Sequence, residues 1–276
     1  MSTPSTLQQL LAPLDAGAVA LAAPGATPLS FGTLRTQIAE MVETLNKVGI
    51  GRNDRVAIVL PNGPEMATAF LAVASAAASA PLNPGYRAEE FEFYLTDLKA
   101  RALIVQQGID TPAVAVADKL GVPVFHLHPL PDQGAGRFRL DTGGMGVGNG
   151  RVAGGYAETD DVALVLHTSG TTSRPKIVPL RQRNICASAR NIRTTCRFAP
   201  EDRGLNIMPL FHIHGLIAGI TAPLSAGSSV FCTPGLQRAE ILCLDGGEPP
   251  DLVHRRADHA PGDPDARRTQ CRDHQT

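Results

Sequence analysis

The chain has 276 residues, of which 43% are apolar and 18% charged, and a formal net charge of -1. That is enough for one large domain or two ordinary ones with a sizeable core, while the near-neutral balance gives no reason to expect nucleic acid or an anionic membrane as a partner. Tryptophan is absent and aromatics make up 4%, so stacking platforms for bases are not expected.

Five cysteines, Cys186, Cys196, Cys232, Cys243 and Cys271, are scattered without C-x-x-C pairing. They suit neither a disulfide framework nor a zinc ribbon, and they fit a reducing compartment. No segment approaches the length of a membrane span. Residues 18 to 26, AVALAAPGA, have the apolar character of a signal core, but no lysine or arginine precedes them, so no signal peptide is expected. Cytoplasm is the expected location.

In chain order, SFGTLRTQIAEMVETLNKVGI (residues 30 to 50) predicts a helix. Ser30 is its N-cap, Leu34, Ile38, Met41, Val42 and Leu45 form its apolar face, and Gly49 closes it. DRVAIVLPNG follows as a buried strand stopped by Pro61, Asn62 and Gly63. PEMATAFLAVASAAASA reads as one alanine-rich helix from Pro64 to Ala80, small enough in its side chains to approach a sheet closely. PLNPGY breaks it, EEFEFYLTDLK is an acidic helix, RALIVQQ a strand, and ADKLGVPVFHL a helix end and another strand. Strand and helix alternate, which predicts an α/β fold with mostly parallel sheets flanked by helices.

DTGGMGVGNGRVAGG, residues 141 to 155, contains G-x-G spacing. No strand leads into it and no helix leaves it, so it reads as a flexible connector, and a dinucleotide-binding dehydrogenase is not supported. Beyond it, DVALVLH is a strand, RQRNICASARNIRTTC a helix with a basic face, GLNIMPLFHIHGL a strand and turn, LIAGITAPLSAG a helix and SSVFCTP a strand. From about residue 237 the chain is rich in arginine, aspartate, histidine and proline, with no large apolar residue after Val253. It lacks the apolar surface to offset the entropy of ordering, and residues 237–276 are expected to be disordered.

The loop HTSGTTSRPK, residues 167 to 176, places four hydroxyl side chains around Gly170 and ends on Lys176. At a strand-to-helix turn, backbone N–H groups converge, glycine permits close approach, and hydroxyls and a lysine add donors and charge for a phosphate. The spacing is not G-x-x-x-x-G-K-[ST], and by composition alone a phosphate cradle and a Ser/Thr-rich turn are equally open.

The order of residues goes further. T-S-G-T-T-x-x-P-K resembles the phosphate loop of the AMP-forming acyl-CoA synthetases. GRNDRVAIVLPNGPEMATAFLAVASAAASAPLNPGY is similar to that family's early helix, strand and turn, and PLFHIHGL (209 to 216) is similar to its acyl-pocket motif. The resemblance covers roughly residues 18 to 236. It implies the N-terminal part of the family's large domain, incomplete at the C-terminus.

By that resemblance Thr168, Ser169, Gly170, Thr171 and Thr172 hold the phosphates of ATP, with Lys176 as the fixed cation. Ser173 and Arg174 shape the loop, and TTSRPK resembles the branch that joins oxalate to coenzyme A. His212 flanks the reacting carboxylate and His214 lines the acid end, where a dicarboxylate benefits from a cation. A buried core histidine is the alternative at each, and a surface lysine the alternative at Lys176. H-x-H spacing alone does not make a metal site, because no third ligand is in view. Asn184 reads as helix packing. Ile177 stands where the family has glycine, a strained choice wherever positive φ is required.

The implied reaction joins a small carboxylic acid, ATP and coenzyme A, with Mg²⁺ on a carboxylate that these residues do not supply. The family's Y-G-x-T-E loop, ribose aspartate and C-terminal lysine are not found after residue 216. The resemblance stops near Gly235, and the tail has the composition of an out-of-frame end, so an inactive N-terminal fragment is expected. The alternative is a non-catalytic nucleotide- or partner-binding module that keeps the loop.

Overall fold

The computed structural model describes residues 3–145, 154–168 and 175–235. After a short helix α1 (Leu7–Leu11), β1 (Val19–Ala22) and β2 (Leu29–Ser30) form an antiparallel pair. The apolar AVALAA run that resembles a signal core is therefore strand β1, with Ala20 and Leu21 fully buried.

Helix α2 (Phe31–Lys47) starts where its sequence predicts. Ser30 Oγ accepts the Thr33 N–H at 3.2 Å, and Gly49, at φ +78°, turns the chain out after the last turn. Strand β3 (Arg55–Val59) alternates across its two faces, Val56 and Ile58 pointing into one core and Ala57 and Val59 into the other.

Helix α3 (Pro64–Ala76) ends four residues before the sequence reading places its end, and Ala78–Pro81 form strand β4 instead. Alanine favours a helix, but residues 78–81 lie between two strands and pair with β3 from Arg55↔Ala78 to Ile58↔Pro81. Those backbone bonds and complete burial outweigh a propensity of a few tenths of a kcal/mol per residue. All residues of α3 from Met66 to Ala76 are buried, because the helix touches β3, β4 and β8 on one side and β11 on the other. Its small side chains let both sheets come close.

The chain continues through α4 (Ala88–Leu98), β5 (Ala102–Gln106), α5 (Pro112–Leu120) and β6 (Val124–Pro129). β7 (Phe138–Asp141) pairs antiparallel with β6, so the first residue of the glycine-rich stretch belongs to a strand. β8 (Val162–Thr168), β9 (Lys176–Arg181), α6 (Gln182–Cys196), β10 (Arg203–Asn206), a π-helical stretch His214–Thr221, α7 (Ala222–Ser225) and β11 (Ser229–Cys232) complete the described residues.

Seven strands lie in the order β7-β6-β5-β3-β4-β8-β9, with β6, β5, β3, β4 and β8 parallel and antiparallel strands at both edges. The glycine-rich connector thus joins parts of one sheet. A second sheet has the order β10-β11-β1-β2. α3 covers one face of the large sheet, and α4 and α5 cover the other. The chain leaves β3 toward β4 and returns past β3 to β5 and then β6, so the strand order reverses between β3 and β5. Open α/β sheets form their ligand crevice at such a point, outside the carboxyl ends of the strands.

Candidate functional site

A cleft of about 550 Å³ opens beside that point, outside the carboxyl ends of β3 and β4. Leu60, Pro61 and Asn62 reach it from the end of β3, Leu82 and Pro84 from the end of β4, and Pro234 and Gly235 from beyond β11. Its far wall is Ile207, Pro209, Leu210 and Phe211, from the turn after β10. The walls are apolar, and the polar groups stand at the rim.

The turn at 207–213 carries His212. Its imidazole lies 4.5 Å, centroid to centroid, from the Phe211 ring, and both His212 and His214 are exposed. A buried core histidine is therefore excluded at both positions. The residue between them, Ile213, is 49% exposed, and Met208 is 38% exposed. A π-helical stretch starts at His214; such stretches disturb the regular i→i−4 ladder and are common near functional sites. Gly215 fits tightly there, since a Cβ would press into the Pro209 carbonyl oxygen.

Two asparagines hold this turn from opposite sheets. The Leu210 N–H donates to Asn62 Oδ1 at 2.9 Å, and Asn62 Nδ2 donates to the Thr233 carbonyl at 3.0 Å. From β10, Asn206 Nδ2 donates to the Met208 carbonyl at 3.2 Å, while the Asn206 carbonyl accepts the Thr233 hydroxyl at 3.1 Å. Sequence spacing could not single out Asn62, whose partners lie 148 and 171 residues away.

The hydroxyl-rich loop leaves the same edge of the large sheet. Thr168 ends β8, Lys176 begins β9, and the two are paired across the strands, with Thr168 Oγ1 3.5 Å from the Lys176 carbonyl. Both side chains are exposed. Ser169, Gly170, Thr171 and Thr172, together with Ser173, Arg174 and the tail from residue 237, lie outside the described residues.

The expected strand-to-helix turn is corrected here. The loop joins two antiparallel strands, and the next helix, α6, starts only at Gln182. Among the described residues no helix N-terminus stands at the loop, so the groups placed there for an anion are the Thr168 hydroxyl and Lys176. Ile177 pairs with His167 inside β9 and does not have a positive φ, so a β-branched side chain suits it. Asn184 is exposed, and its Oδ1 accepts the Arg181 N–H at 2.9 Å, so it caps α6 rather than packing inside it.

His167, one residue inside the loop motif, was not singled out as functional by sequence. Its side chain is 7% exposed, with Nε2 3.0 Å from Asp97 Oδ2 and its ring edge-on to Tyr94 at 4.6 Å. Tyr94 stacks in turn on Tyr86, at the end of the PLNPGY turn. Burial pushes the Tyr86 phenol well above its ordinary range, with the Tyr94 hydroxyl adding to the shift. Among the described residues no three His, Cys, Asp or Glu side chains are grouped to hold a metal ion. No helix among them is long and apolar enough to cross a membrane.

The family model described as "AMP-binding enzyme" matches residues 12–245. A CoA ligase of Humulus lupulus, CCL9, is 40% identical over 205 residues, covering 73% of this chain and 38% of that one. The oxalate–CoA ligase of Arabidopsis thaliana is 38% identical over 213 residues, covering 76% of this chain and 41% of that one. Among solved structures, ATP-bound MatB from Rhodopseudomonas palustris superposes with a TM-score of 0.73 at 26% identity, covering 87% of this chain and 47% of that chain. The chain therefore spans less than half the length of each of these relatives.

Proposed function

The chain belongs to the AMP-binding enzyme family, and on that premise we propose that it contributes the phosphate loop and acid pocket of an ATP-dependent acid–CoA ligase. In that reaction a carboxylate oxygen attacks the α-phosphorus of ATP, the bond to the β-phosphate oxygen breaks, and pyrophosphate leaves. The thiol of coenzyme A then displaces AMP from the acyl-adenylate. Thr168, Ser169, Gly170, Thr171 and Thr172 hold the phosphates, and Lys176 neutralises the leaving charge. His212 flanks the carboxylate and His214 faces the far end of the acid.

One observation supports this reading above the rest. The β8–β9 pairing brings Thr168 and Lys176 together on the sheet edge that also carries the cleft. A short dianionic acid such as oxalate is the proposed substrate, with the exposed Lys176 as the cation nearby and His212 and His214 as exposed polar groups. The identity to an oxalate–CoA ligase supports the same substrate class.

A second reading is a nucleotide-binding module without turnover. The chain spans 38–47% of the length of these relatives, so binding and turnover are tested separately. One experiment separates the two readings: ATP titration by calorimetry, paired with pyrophosphate release on adding oxalate. Binding is expected, weakened roughly ten- to a hundredfold by Lys176→Ala, the cost of one charge-assisted contact. Release of pyrophosphate would establish the ligase reading for this chain alone, and binding without release the module. Equal ATP affinity in wild type and Lys176→Ala would remove the lysine from the site.

A further inference from the structure

We propose that Asn62 is a positioning residue that sets the placement of His212 by locking the 207–213 turn to the end of β3. The inference deepens the reading above and rests on it for its functional meaning. Its structural content stands separately.

The geometry carries the argument. Asn62 uses both ends of one amide, accepting from the Leu210 N–H at 2.9 Å and donating to the Thr233 carbonyl at 3.0 Å. Leu210 is 1% exposed, so its N–H has no access to water once Asn62 is removed. A buried orphaned amide is costly, which makes this bond stronger in effect than a typical surface hydrogen bond.

Asn62 follows β3 of the large sheet by three residues, whereas both partners belong to segments flanking the small sheet. It is thus a direct polar tie between the sheet carrying the hydroxyl loop and the turn carrying His212, only two residues past Leu210. Asn206 supports the same turn from the other side through the Met208 carbonyl, but it lies within the small sheet. Its own Oδ1 is buried without a partner, and Asn206 is 2% exposed, so it has no second bond with which to take over from Asn62. An asparagine in a Pro-Asn-Gly turn otherwise needs no partner beyond the turn itself. Here both side-chain groups leave the turn to hold distant backbone.

Two variants of the full chain test this. Asn62→Ala removes both bonds, whereas Asn62→Asp keeps the acceptor for the Leu210 N–H and replaces the donor with an oxygen that repels the Thr233 carbonyl. Amide exchange and the His212 Cε1–H NMR resonance, which lies in the field of the Phe211 ring, are read in each. In Asn62→Ala the Leu210 amide is expected to exchange roughly ten- to a hundredfold faster. The His212 resonance should shift, while Val56 and Leu103 in the large sheet keep their protection. Asn62→Asp should restore Leu210 protection relative to Asn62→Ala.

Unchanged Leu210 exchange and an unchanged His212 signal in Asn62→Ala would overturn the proposal. So would loss of Leu210 protection in Asn62→Asp, which remains decisive where the alanine variant does not fold. Failure of the functional reading looks different: neither wild type nor variant binds ATP or oxalate, while the exchange and resonance differences persist.

Discussion

The Nε2 atom of His167 lies 3.0 Å from a carboxylate oxygen of Asp97, tying the end of β8 to the last turn of α4. The loop with the candidate phosphate donors therefore springs from a strand end fixed by a side chain and not only by the sheet. Asp97 is 41% exposed, so the ion-pair part of this contact is weak, and packing of the imidazole on Tyr94 dominates. His167→Ala is expected to cost about 2 kcal/mol of stability, and Asp97→Asn less than about 1 kcal/mol. Urea denaturation of the two variants checks this, and a larger loss for Asp97→Asn would contradict it.

At the opposite edge of the sheet, Asp161 gathers the Arg52 guanidinium at 2.6 Å, the Glu158 N–H at 2.7 Å and the Asn53 amide at 2.8 Å. Burial by itself would raise this carboxyl. The backbone N–H of Glu158, Arg52 and Asn53 together outweigh it and hold the pKa below its ordinary 3.8. A carboxylate with a lowered folded pKa contributes its stability in full above the ordinary value and loses it as pH falls through the lowered one. Asp161→Asn should therefore cost roughly 1.5–3 kcal/mol at about pH 7 and much less at about pH 3. Denaturation at both pH values measures the difference, and a gap that does not narrow in acid would count against the assignment.

The cysteines divide by burial. Burial pushes the Cys186 thiol up to about 11 and the Cys232 thiol to about 12, the latter helped by the negative charge of Glu65. Cys196, at the end of α6, is exposed. Among these three, a thiol-alkylating reagent at about pH 8 should label Cys196 first by a wide margin, because the thiolate is the reactive form and must be accessible. Peptide mass spectrometry reads the order directly. Early labelling of Cys232 would mean that the small sheet opens readily in solution.

Gly215 tests the shape of the candidate acid pocket. A Cβ there would meet backbone, the Pro209 carbonyl oxygen, and not the movable end of a side chain. Gly215→Ala should displace the start of the π-helical stretch from the 207–213 turn and destabilise the chain by about 1–3 kcal/mol. Thermal unfolding and exchange at residues 207–216 should change together. A wild-type melting temperature would show that the turn relaxes without penalty.

Much of the fold is legible in the sequence because its elements obey local rules. The apolar period of Leu34, Ile38, Met41 and Leu45, with Ser30 as cap and Gly49 as terminator, marks α2 closely. The short β-branched runs at 55–59 and 102–106 mark buried parallel strands. Elements whose identity depends on a distant partner were not legible. β1 pairs with β11, more than two hundred residues on, and its alanine-rich sequence has no strand signature of its own. β4 looks helical until β3 and β8 claim its backbone on both sides.

The same division runs through the site. The sequence by itself determined which chemical groups are present: the hydroxyl run around Gly170, Lys176, and the His212–His214 pair, together with the family these motifs resemble. Residue order carries that information without reference to space. Only the tertiary structure decided that Thr168 and Lys176 face each other across a strand pair, that β9 separates the loop from helix α6, and that Asn62 reaches across 148 residues to hold the turn beside His212. The physical reason is that cross-strand pairing and buried side-chain hydrogen bonds depend on separations in space, which chain closure fixes and which sequence distance does not reveal.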